Sequence, residues 1–119
     1  MALNRGDIID VFFEFPKVKN TTTHPAIIIS NQEVYDADDG YICVIMTSSE
    51  DFKDKFTFEL TDAMLQKPNT KAFSQARCHM VTFVHENHII SKYPKNTLKP
   101  NSVERLIAHI NEASFSDDY

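Results

Sequence analysis

The chain has 119 residues, 42% of them hydrophobic, enough for one domain with a sizeable core and too few for two comfortable ones. Seventeen acidic residues against twelve basic ones give a formal charge of -5, of which Asp117 and Asp118 in the terminal "SFSDDY" hold two. That balance argues against broad, sequence-blind capture of duplex nucleic acid and leaves room for a local basic groove that holds a single strand.

In chain order, residues 8–15, "IIDVFFEF", alternate with Ile9, Val11, Phe13 and Phe15 on one face and Asp10 and Glu14 on the other. They predict a half-buried antiparallel strand opened by a turn at Gly6-Asp7. Phe12, on the opposite parity, is the candidate for an exposed interface. Pro16 ends the strand, and the polar, partly cationic "KVKNTTT" leads into the apolar run 26–29, which reads as a central strand. "NQEVYDADDG" reads as a second turn region. "YICVIM" is the next apolar strand and stops at Thr47, Ser48 and Ser49.

Further on, Phe56, Phe58 and Leu60 alternate again, and "TDAMLQKPN" fits either a short helix or a loop. "AFSQARCHMVTFV" has the length and composition of a long bent strand, with "HII" a short one after the turn at Glu86-Asn87. Only residues 101–110 carry helix grammar. Asn101 is placed to cap the first turn, with Glu104 in its third helical position, and Val103, Leu106, Ile107 and Ile110 share one face. The pattern predicts a mainly β chain, a small, strongly bent antiparallel sheet or barrel, with a C-terminal helix packed on the sheet or plugging one end.

Cys43 and Cys78 sit in apolar, strand-like surroundings and are expected to be buried free thiols. No CxxC spacing, secretory segment or membrane-length apolar run is present, so a soluble cytoplasmic protein is expected.

Several residues have chemistry to offer. His24 follows a polar loop and precedes Pro25, whose ring biases the residue before it toward an extended conformation. At a strand mouth its ring could reach a cleft, where a near-neutral pKa suits proton transfer; a surface or purely structural histidine is the plainer alternative. Thr47, Ser48 and Ser49 belong to no nucleophile motif and suit hydrogen bonding to a phosphate, or simply a strand-ending turn. Arg77, inside a strand-like run, could grip two phosphate oxygens or pair with an acidic neighbour. Lys17 and Lys19 precede the His24 junction, and Lys53 and Lys55 follow the hydroxyl cluster. They form a phosphate-attracting rim if the two loops meet and are scattered solvated charges if they do not. His79, His85 and His88 with Glu86 match no zinc spacing, and neither metal nor cofactor is expected.

"RGDIIDVFF", "HPAIIISN", "VIMTSS" and, more loosely, "CHMVTFV" with "LKPNSVERLIAHI" together resemble the PemK/MazF family of toxin endoribonucleases, in order along nearly the whole chain. The resemblance implies a compact SH3-like barrel with a C-terminal helix, usually a homodimer. It also implies metal-free cleavage of single-stranded RNA through the adjacent 2'-hydroxyl, and restraint by a cognate antitoxin whose flexible segment occupies the RNA groove. Thr47 matches the family's threonine at the end of the third strand. His24 stands where the family commonly has arginine, and the first loop lacks the glycine commonly seen there. On this reading His24 exchanges protons, Thr47 and Ser48 orient the phosphate and Arg77 supplies charge. The alternatives are an RNA- or antitoxin-binding member that has lost cleavage, and a structural or regulatory SH3-like module.

Overall fold

The computed structural model describes residues 3–14, 22–49, 51–68 and 74–117. Six strands run β1 (Asp7–Phe13), β2 (Thr22–Ile28), β3 (Gly40–Thr47), β4 (Thr57–Glu59), β5 (Gln75–His85) and β6 (Asn96–Thr97). They form one antiparallel sheet in the order β4-β5-β3-β2-β1-β6. The sheet curls into a half-barrel whose two edges approach each other. An isolated bridge joins Leu65 to Leu98, the Gln66 N–H donates to the Thr97 carbonyl, and the Lys99 N–H donates to the Met64 carbonyl.

The bend comes from the expected long strand. Between the pairs Val44–Val81 and Met46–Ala76 the register shifts, so that residues 77–80 of β5 lie opposite Ile45 alone. Extra residues on one strand force curvature there, and they let β5 leave β3 and pair with β4.

Two apolar clusters occupy the two faces of the sheet. One holds Ile8, Ile27, Val44, Met46, Phe58 and Leu60, and is closed by Val103, Leu106 and Ile110 of the helix α2 (Pro100–Ile110). The other holds Ile9, Val11, Ala26, Ile28, Cys43 and Ile45. Strands β1 to β3 are thus buried on both faces, which explains why "IIISN" and "YICVIM" read as continuous runs rather than alternations. Phe12 is 47% exposed, as its parity predicts.

Gly6, in the turn just before β1, has φ +96°, and a Cβ there would stand 3.0 Å from the Leu98 carbonyl oxygen. Both features demand glycine at this turn. Cys43 and Cys78 are free and fully buried, and burial pushes their thiols up to about 12 and about 11.

Three expectations need correction. The segment read as a turn contains a helix, α1 (Gln32–Asp38), in which Asn31 caps the Val34 N–H and Asp39 ends the helix in the left-handed region at φ 54°. It buries no residue fully, so it has no apolar stripe to betray it. Helix α2 begins at Pro100 with Lys99 as its cap, not at Asn101, because proline suits the first helical position, where no N–H partner is needed. "HII" forms no strand: Glu86–His88 is a single 3-10 turn, after which Ile89 makes one bridge to Val11. Among the described residues, no helix is long and apolar enough to cross a membrane.

Candidate active site

Pro25 explains why a cleft opens beside His24. Backbone polar groups of a central strand point alternately to its two neighbours. In β2 the Ile29 N–H donates to Ile42 of β3, so by alternation positions 27 and 25 also face β3. Proline has no N–H to give, and the β2–β3 pairing ends one residue earlier, at Ala26–Ile45. Two residues further on, the same register would set His24 opposite Thr47. The pairing stops short of that point, and a cleft of about 480 Å³ lies beside these strand ends, lined by both residues.

Its polar wall carries His24, Thr47 and Ser48, and its apolar wall includes Ile8, Met46, Leu60 and Leu65. The His24 Nε2 lies 2.6 Å from the Thr22 hydroxyl, two residues back on the same face, and this contact fixes the ring's orientation. Partial burial holds the imidazole below its ordinary 6.5, because a low-dielectric surrounding disfavours the charged form. The lowered value favours the neutral imidazole, the form able to accept a proton. The Thr47 Oγ1 accepts the Ser49 N–H at 3.2 Å, which anchors the hydroxyl oxygen and leaves its proton to donate. Ser48 is exposed at the cleft mouth.

A family model described as the PemK-like, MazF-like toxin of type II toxin-antitoxin systems matches residues 4–113. The chain belongs to that family. No curated protein matches the chain at a level that marks a relative.

The arginine singled out in this PemK/MazF-like chain is not part of the cleft. Arg77 is buried, and its guanidinium donates to both Asp54 carboxylate oxygens at 3.0 Å, to the Thr57 hydroxyl at 3.1 Å and to the Gln75 Oε1 at 3.2 Å. It also lies over the Phe52 ring, 5.0 Å from the centroid. The Gln75 amide in turn donates to the carbonyls of Phe52 and Ser49. The hydrogen bond from Arg77 holds the Asp54 carboxyl below its ordinary value. This network folds the segment after Ser49 against β5, so Arg77 acts on the cleft only through the backbone that follows Thr47 and Ser48.

Lys53 borders a separate shallow depression with Asp54, Thr57 and Glu59. Lys55 has its ammonium over the Phe56 ring at 5.1 Å, and its carbonyl oxygen lies 2.9 Å from the His109 Nε2. Lys17 and Lys19 lie outside the described residues. Two other cations reach the cleft instead, Lys67 and Lys95, together with Asn96. Sequence reasoning missed them because each sits in a turn-like "KPN" or "PKN" segment with no strand or helix period. His79 packs on Phe56 with ring centroids 4.4 Å apart, and the His85 Nδ1 accepts the Asn87 N–H. Among the described residues, no group of three or more His, Cys, Asp or Glu side chains stands close enough to hold a metal ion.

Proposed function

We propose that this chain is a toxin endoribonuclease that cleaves single-stranded RNA by internal attack of the 2'-hydroxyl, with no metal required. The observation that carries the reading is the cleft beside the Pro25 break in the β2–β3 pairing, with His24, Thr47 and Ser48 on its wall. Neutral His24 takes the 2'-hydroxyl proton while the oxygen bonds to phosphorus. The bond from phosphorus to the 5'-oxygen breaks, and the imidazolium returns the proton to that leaving oxygen. Thr47 and Ser48 hydrogen-bond the non-bridging oxygens and hold the phosphate in line. The products are a 2',3'-cyclic phosphate and a 5'-hydroxyl.

In this reading Arg77 positions the segment that follows Ser49 and does not touch the phosphate. Lys53 and Lys55, away from the cleft, serve flanking nucleotides. Family membership supports a cognate antitoxin that occupies the same groove, and action in the cytoplasm, where the RNA is. It also supports a homodimer, for which exposed Phe12 is a candidate contact. Sedimentation at micromolar concentration decides the assembly: a persistent monomer that cuts RNA at full rate removes the dimer from the proposal.

The deciding assay incubates purified protein with long single-stranded RNA in a chelator, with His24→Ala as control and with the product ends mapped. The proposal expects wild-type cleavage to cyclic phosphate ends and far slower cleavage by the variant. A specific observation favours a second reading: histidine stands where the family commonly has a permanently charged arginine. Binding without cleavage across diverse RNAs would establish that reading, an antitoxin- or RNA-binding member without activity.

A further inference from the structure

A phosphodiester carries a full negative charge, and a neutral His24 with two hydroxyls does little to neutralise it. The cleft contains its own remedy, because Lys67, Lys95 and Asn96 also line it. The Lys67 N–H donates to the Asn96 Oδ1 at 3.1 Å, and the Asn96 Nδ2 donates back to the Lys67 carbonyl at 2.9 Å. One side-chain amide thus clasps one backbone unit from both sides and fixes where the Lys67 side chain starts. The Lys67 ammonium has no carboxylate partner among the described residues.

Lys95 is set beside it. Its N–H donates to the Ile8 carbonyl, and its ammonium, half exposed, stands 3.3 Å from the Asp10 carboxylate. An exposed pair of this length is weak and exchanges readily for a better anion.

We propose that Lys67 and Lys95, with Lys67 aligned by the Asn96 clasp, are the phosphate-holding cations of the His24 cleft and supply the charge that histidine in place of arginine leaves out. The inference rests on the RNA reading above and deepens it. It divides the labour: proton transfer on β2, hydroxyl donors at the end of β3, fixed charge from the two segments that close the barrel seam. Asp10 is the competitor that occupies Lys95 when no nucleic acid is bound.

The test measures binding apart from cleavage. In a His24→Ala background, in which cleavage is too slow to interfere, affinity for a long single-stranded RNA is followed by filter binding across a salt series. Adding Lys67→Ala or Lys95→Ala is expected to weaken binding about tenfold each, and to reduce the slope of log affinity against log salt by about 0.7 per lysine. Lys67→Arg restores most of the loss. Asn96→Ala weakens binding less than Lys67→Ala and adds nothing to it, since it acts through Lys67. Asp10→Asn moves the other way and tightens binding about threefold by releasing Lys95, a gain that a damaged fold does not produce. Unchanged affinity and salt slope in both lysine variants overturn the inference even if the wild type cleaves RNA. Weakened binding with no wild-type cleavage upholds it while sinking the catalytic reading. Absence of RNA binding by the His24→Ala protein overturns the inference itself.

Discussion

The cleft beside Pro25 and the network around Arg77 are joined by the same segment after β3, yet their polar groups are used in opposite ways. Around Arg77 the guanidinium is spent on four oxygens from Asp54, Thr57 and Gln75, and Gln75 is spent on the backbone it faces. In the cleft, Ser48 is exposed, Thr47 retains a proton to give, and Lys67 has no carboxylate partner among the described residues. A saturated polar cluster is structure; an undersaturated one beside a cavity is where a ligand completes the count. The residue type alone would have ranked the two regions the other way, because an arginine in a strand looks more like an anion site than a lysine before a proline.

The sharpest way to break this comparison is to remove one residue from each region. His24→Ala is expected to lower cleavage by about 10²–10⁴-fold, the usual worth of a general acid-base group, while RNA affinity changes only a few-fold. Arg77→Leu is expected to do the reverse. It leaves the Gln75 Oε1 buried with its partner gone, at a cost of about 1–3 kcal/mol read from the urea midpoint, and activity at low temperature falls only modestly. If Arg77→Leu abolishes cleavage with the midpoint unmoved, the arginine belongs to the chemistry and the division between the regions is wrong.

Much of the fold was legible for physical reasons. The runs in β2 and β3 read as strands because both faces of the sheet are covered, and the parity of Phe12 predicted its exposure. The extended conformation of His24 was legible too, since a proline biases the residue before it, although the strand starts at Thr22 and not after the proline. What stayed hidden was long-range pairing. Asp54 lies 23 residues from Arg77, and Asn96 lies 29 from Lys67. Neither contact leaves a trace in local periodicity. The two-residue strand β6 and the unburied α1 are too short or too polar to carry any pattern.

A smaller effect sharpens the claim that Pro25 makes the cleft. Pro25→Ala restores an N–H facing the Met46 carbonyl, and the β2–β3 ladder is expected to extend by one pair. The new hydrogen bond contributes about 1 kcal/mol, and the loss of proline's restraint on the unfolded chain removes about 0.4–1 kcal/mol. Stability therefore stays within about 1 kcal/mol, while cleavage falls several-fold as the backbones close. Hydrogen exchange reads the outcome directly. A residue-25 amide that exchanges as fast as an exposed loop shows that something other than the missing donor holds the strands apart.

The smallest expected effect is the dependence on pH, and its sign separates the two regions again. His24 is held below 6.5 by burial, and His79 by burial first and then by the charge of Arg77. Between each depressed folded value and 6.5 the unfolded chain binds more protons than the folded one. Stability from these groups is therefore complete above 6.5 and declines as pH falls below it. Asp54, held low chiefly by its hydrogen bond from Arg77, acts in a more acidic window. Its contribution is present above the ordinary carboxylate pKa and is lost as pH falls through the depressed value. Urea midpoints should fall from pH 7 to pH 5 in the wild type and fall less in His24→Ala, which keeps only the His79 share, whereas Arg77→Leu should lose the further decline that appears when the series is extended into the carboxylate range. Cleavage should follow the first window and not the second, with its acid limb lying below 6.5 because neutral His24 is the working form. An acid limb that moves with Arg77→Leu and stays put when Thr22→Val removes the hydroxyl against the His24 ring would transfer the titrating group from the cleft to the arginine side.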